Sequence, residues 1–142
     1  MLQTLNDKLK TLFETLKGSN KPFVSVIDYH TLENTWYPYL SFENISFEAE
    51  ILDNCNNIRT YTFEVLIFQE ITETGWRKEA KEILYKCMDD VFDLLDKNFT
   101  LGLTSVKLIK PVWWTIEPLI MQNWKCLVWR ILTEIQTYNF IK

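Results

Sequence analysis

Apolar and polar positions change period several times along this chain, and each change marks an element. Over residues 59–70, Tyr61, Phe63, Val65 and Ile67 fall on one side of a period-two pleat, with Thr60, Thr62 and Glu64 on the other. That alternation predicts a β-strand with one face toward a core. The second side turns apolar at Leu66 and Phe68, so the end of this strand is expected to be covered on both faces, by another layer or another subunit. After Thr74 and Gly75 the period becomes helical: Trp76, Ala80, Ile83, Leu84, Cys87, Met88, Val91, Leu94 and Leu95 form one stripe. Lys78, Glu82, Lys86 and Asp90 lie on the opposite face at four-residue spacing, where charge pairs contribute only about 0.2–0.5 kcal/mol each. Burying the stripe contributes roughly 1.5–3 kcal/mol per large side chain, so packing makes this helix.

The remaining segments read in the same way. Leu2, Leu5, Leu9, Leu12, Phe13 and Leu16 define a first amphipathic helix, stopped by Gly18 and Asn20, which tolerate left-handed backbone. Short strands are predicted over residues 23–29 and 37–42, the second with Pro38 at its start. Ile45, Phe47, Ala49 and Ile51 alternate with Asn44, Ser46, Glu48 and Glu50, so that strand continues or pairs into a hairpin whose tip is the polar run 53–57. A loop is expected over residues 96–102, a strand over 106–116 broken or bulged at Pro111, and a turn over 118–123. In the final stretch, 124–138, Leu127, Trp129, Ile131 and Ile135 oppose Arg130, Glu134 and Gln136. This is long for a strand and suits one spanning the whole sheet or reaching beyond its own subunit. The order predicts an α+β fold: a mixed, mainly antiparallel sheet with a long helix and an N-terminal helix packed on one face.

At 142 residues with no linker composition, the chain is expected to form a single domain, 1–142. Six Trp and an aromatic content of 15% make the chain rich in large apolar groups for its size. Two readings stand level: an indole-rich monomer core, or aromatic surface that is buried when subunits meet. A formal charge of −4 argues against general nucleic-acid binding, which needs excess Lys and Arg to displace phosphate counterions. Neither a secretory signal nor a membrane-length apolar run is present, so a soluble protein made in a cytoplasm is expected. Cys55, Cys87 and Cys126 are odd in number and far apart, which encodes neither a disulfide framework nor a zinc site.

Candidate chemistry is sparse. His30 is the single histidine, and no Ser, Cys or Asp constellation is tied to it by spacing, so it reads as a turn or surface residue. Asp89, Asp93 and Asp96 share one helix face near the negative end of the helix dipole. One stripe cannot surround a metal by itself, and the favoured reading is a solvated face or a docking patch for a basic neighbour. Trp113 and Trp114 fall on opposite faces of their strand, so at least one is expected to leave the core, toward a subunit contact more than a sugar-stacking platform. Gly18, Gly75 and Gly102 are too few for a phosphate-cradling loop. No cofactor, metal or catalytic residue is predicted, and the chain reads as no enzyme.

Several stretches, in order, carry a family resemblance. They are Tyr37-Pro38-Tyr39 opening an early strand, Arg59-Thr60-Tyr61-Thr62-Phe63 leading to Phe68-Gln69-Glu70, the helix into Asp90-Val91-Phe92-Asp93-Leu94-Leu95-Asp96 and on to Gly102, and a terminal strand with Arg130. Covering most of residues 37–138, they resemble the tail terminator or tail completion proteins of long-tailed bacteriophages, from which the Trp113–Trp114 pair and the Trp-rich last strand depart. The resemblance implies a structural virion protein of the tail neck, assembled in the host cytoplasm as a homo-oligomeric ring, commonly a hexamer. Such a ring caps the tail tube protein, ends polymerisation and offers a docking surface to the head-tail connector or head closure protein, with DNA only passing through its lumen and no membrane involved. Asn54 and Phe99, at polar tips, are the expected contact loops. The alternatives are another neck component, such as a head closure or adaptor protein, and a Trp-based carbohydrate or ligand-binding module.

Overall fold

The computed structural model describes residues 1–32, 36–53, 56–71, 76–121 and 124–140. Its elements run α1 (Leu2–Glu14), β1 (Ser25–Ile27), β2 (Tyr39–Ile51), β3 (Asn56–Glu70), α2 (Trp76–Lys97), β4 (Val106–Met121) and β5 (Trp124–Phe140). The strands form one sheet of order β1-β2-β3-β5-β4, antiparallel except for β1, which runs parallel to β2. This is the α+β architecture expected from the sequence, with both helices on one face.

The core sits between that face and the helices. Leu5, Leu9 and Phe13 of α1, and Ala80, Leu84, Cys87, Met88, Val91 and Leu95 of α2, are buried against Phe42, Phe63, Val65, Ile67, Trp129, Ile131 and Ile135. Phe13 meets Phe42 at 5.3 Å between ring centroids, and Phe92 meets Trp129 edge-on at 5.3 Å. From Ala80 to Leu95 the helical stripe is as predicted except at Ile83, which is 39% exposed at its margin; the Trp76 side chain lies outside what the structure describes. After α1 the chain turns at Gly18 and Asn20, where φ is 125° and 62°. The first is open to glycine and strained for other residues; the second is the left-handed conformation that Asn tolerates.

Several boundaries differ from the sequence reading. The strand expected over 23–29 shrinks to Ser25–Ile27, because it runs beside another strand only at Tyr39–Ser41 of β2, Phe23 making just an isolated bridge to Lys17. β2 is continuous and pairs with β3 as a hairpin, with Ile45 as an extra residue where the register shifts between Asn44 and Ser46. Asn56 and Asn57, assigned to the tip, begin β3. Pro118, assigned to a turn, lies inside β4, opposite Leu127. β4 is an edge strand, where a residue without an N–H is tolerated. Of its two register shifts, the one between Pro111 and Trp113 was expected and the one between Val106 and Leu108 was not.

The sheet outruns its helices. Phe47 and Ile51 lie at the Ile51 end of β2, on the same side as the core residue Tyr61, yet they are 53% and 75% exposed. No helix or loop among the described residues covers this arm. The other face of the sheet, by contrast, is partly covered within the chain by His30, Thr31, Leu32 and Tyr37.

Candidate functional site

The sheet register builds a polar cluster on the outer face, opposite the helices. Glu64 of β3 pairs with Glu43 of β2 on one side and with Leu132 of β5 on the other. That places Arg130, two residues from Leu132, at the diagonal position, within reach of a long side chain. Arg130 Nε donates to Glu64 Oε2, and its guanidinium lies 5.4 Å over the Trp113 ring. His30 joins from the covering segment: its Nδ1 is 2.8 Å from Ser41 Oγ, and its backbone N–H donates to Glu43 Oε1 at 2.9 Å. Its Nε2 is 3.1 Å from Glu64 Oε1, within ion-pair distance but outside hydrogen-bond alignment.

A serine, a histidine and a glutamate in contact invite comparison with a hydrolytic triad. Ser41 is fully buried in mid-strand, so no substrate carbonyl can reach its hydroxyl at the distance nucleophilic attack requires. What the cluster does is fasten the covering segment. Tyr39 Oη adds a hydrogen bond to the Thr31 carbonyl at 2.9 Å. Tyr39 and Phe68 stack at 4.5 Å and are almost completely buried. Phe68 is thus covered within the chain, whereas Leu66 stays only partly buried. Beside it lies an open apolar cavity of about 230 Å³, lined chiefly by Leu32, Leu66, Phe68, Leu119 and Val128, with Glu117 and Arg130 as its charged lining.

Burial also moves the thiols and phenols. It pushes the Cys87 thiol up to about 12, with the charge of Asp90 adding to the effect. At Cys126 burial dominates, the Tyr37 hydrogen bond opposes it and Glu70 adds to it, leaving that thiol at about 11. Tyr37 and Tyr39 are raised as well, mainly by burial. In every case the native state holds its proton longer than the unfolded chain does, so the unfolded state binds fewer protons above the ordinary thiol value of 9. The stabilisation is complete below pH 9 and is lost as the pH rises toward the native values. Melting temperature is expected to be level from pH 7 to about 8.5 and to fall from about 9 upward. A thermal-shift series across that range checks it, and a melting temperature that rises above pH 9 would contradict the burial of these groups.

The residues singled out in the sequence are not brought together. Asp89, Asp93 and Asp96 are exposed along α2, and among the described residues no group of three His, Cys, Asp or Glu side chains converges on a point that could hold a metal ion. Phe99, after α2, is 52% exposed, and its carbonyl accepts from the Ile109 N–H at 2.8 Å, on the β4 edge. Asn54 lies outside the described residues. Trp113 and Trp114 point to opposite faces, one under Arg130 and the other with its ring 6.2 Å from that of Trp129. Both leave the core, at 45% and 48% exposure, while Trp129 is fully buried. Among the indoles whose exposure is described, Trp129 is core, and Trp113, Trp114 and the 70%-exposed Trp36 are surface.

Sequence reasoning placed Glu64 and Arg130 on polar strand faces without joining them to His30. The available signal was a charge set among long apolar stretches in each of two strands; their pairing depends on a register that the sequence does not state. Among the described residues no helix is long and apolar enough to cross a membrane. Comparison of the sequence with models of known protein families and with curated proteins finds no match.

Proposed function

We propose that this protein is a structural assembly component, and specifically a tail completion protein that closes into a ring on the end of a phage tail tube. The observation that carries the assembly reading is the apolar surface left along both sheet margins. Val112, Trp113, Trp114 and Ile120 on β4 are 44–68% exposed, and Ile45, Phe47 and Ile51 on β2 are 46–75% exposed. Large aromatic groups held half in solvent by rigid strands are what a protein interface buries at its centre. An interface of ordinary size, about 800 Å² per partner, has room for one such margin.

The tail-specific part of the proposal rests on the order of motifs between Tyr37 and Arg130. In that role binding energy spread over repeated contacts is sufficient, and no bond need be made or broken. The Trp113–Trp114 pair does not favour a sugar-stacking module, since rings on opposite faces cannot form one platform. Deleting the gene from a phage that carries it is expected to yield overlong tails without heads attached. Tails of normal length would refute the proposal, and binding of the purified protein to the head connector in preference to the tube would reassign it to head closure. Trp114→Ala is expected to weaken self-association by about tenfold or more, as for an interface anchor, read by sedimentation velocity across a concentration series.

A further inference from the structure

The two margins of the sheet are complementary at one level. The β2 arm carries Glu48 and Glu50, both exposed, and residues 22–58 contain no Lys or Arg. The opposite margin carries Lys107 and Lys110 at the start of β4, both exposed. Following the ladder across, Glu48 lies opposite Thr60, Thr60 opposite Gln136 and Gln136 opposite Leu108. Glu48 and the two lysines are therefore at the same height on opposite sides of the molecule. Glu48 and Lys110 also share the outer face, because Lys110 pairs with Glu134, two residues along β5 from Gln136.

The apolar groups match in the same way. Phe47 and Ile51 are exposed on the helix side of the β2 arm. At the β4 margin, exposed Phe99 follows the end of α2, and Val112 is 44% exposed. β1 covers β2 only at Tyr39–Ser41, so among the described residues the arm from Phe42 onward has no strand beside its outer edge. At this height on β4, the Ile109 N–H is already bonded to Phe99, and the adjoining Pro111 has none to offer.

We infer that neighbouring copies of this chain meet margin to margin: the β2 arm of one, with Glu48, Glu50 and Phe47, seats against Lys107, Lys110 and Phe99 of the next. The contact is made by side chains, and the occupied β4 edge prevents the sheet from extending as a continuous ladder. Because the two surfaces differ, the contact is head-to-tail, the kind that generates a closed ring when the rotation permits. The inference rests on the assembly reading above and specifies which surfaces assemble.

Two charge-reversed proteins test it: Glu48→Lys with Glu50→Lys, and Lys107→Glu with Lys110→Glu. Each alone presents like charges at every contact and is expected to need at least about tenfold more protein than wild type to self-associate, the scale of a 1.4 kcal/mol loss. An equimolar mixture restores opposite charges at every contact and is expected to associate like wild type, with the two proteins alternating. Sedimentation velocity reads all three, and circular dichroism confirms that the variants fold. If both variants associate as wild type does, or the mixture of folded variants fails to recover, this contact is wrong while the assembly reading stands. A wild-type protein that stays monomeric both alone and with tail tubes removes the two together.

Discussion

Replacing Trp129 with alanine is expected to lower the unfolding free energy by about 3–5 kcal/mol, the range for truncating a large aromatic side chain in a core. Trp129 is fully buried on β5, between β3 and β4, with Phe92 of α2 edge-on at 5.3 Å and Trp114 at 6.2 Å. Removing the indole empties the point where α2 rests on the sheet, and neighbours fixed by two strand ladders can collapse into the gap only partly. For a domain whose whole stability is on the order of 5–15 kcal/mol, the variant sits near the edge of folding. Trp129→Phe keeps most of the volume and is expected to lose less. Urea unfolding followed by far-UV circular dichroism measures both. Wild-type midpoints for Trp129→Ala would mean that α2 does not pack as described.

The second large effect is expected at Glu64. Its carboxylate is 16% exposed and faces Arg130 and His30 together, while the Arg130 side chain is itself only 38% exposed. Glu64→Ala leaves a half-buried guanidinium and an imidazole without their shared anion. Full burial of such an orphan costs about 3–5 kcal/mol; with solvent still reaching Arg130, about 1–3 kcal/mol is expected. The loss should be local as well as global, because the covering segment 30–32 loses an anchor. Hydrogen exchange is expected to quicken in that segment while the centres of β3 and β5 stay protected. The double variant Glu64→Ala with Arg130→Met is expected to recover part of the loss by removing the orphaned charge. Additive losses in the double variant would show that the ion pair is not coupled.

These expectations also mark how far the sequence could be read. The two helices and the strands through Phe63 and Ile131 were legible because each buries one face, and periods of 3.6 and 2 report a single buried face directly. The short β1 was not legible, because its length is set by how much of β2 lies beside it rather than by Phe23 or Tyr29. Pro118 suggested a turn; whether a proline sits in a turn or on a free edge depends on strand order, which local pattern does not contain. The His30 cluster was hidden for a related reason. Alternation alone makes Glu64 and Arg130 ordinary outward-facing strand residues; only the register pairs them and brings Glu64 and Ser41 to one imidazole. The separation of Trp113 from Trp114, in contrast, follows from pleat alternation alone and needed no register.

Whether other protein covers the exposed sheet margins is tested most directly by imaging. Tail tubes incubated with the purified protein and viewed by negative stain are expected to carry a ring-shaped cap at one end and to stop lengthening when more tube subunit is added. Tubes that keep growing with bare ends, in the presence of a protein that remains monomeric, would contradict such coverage.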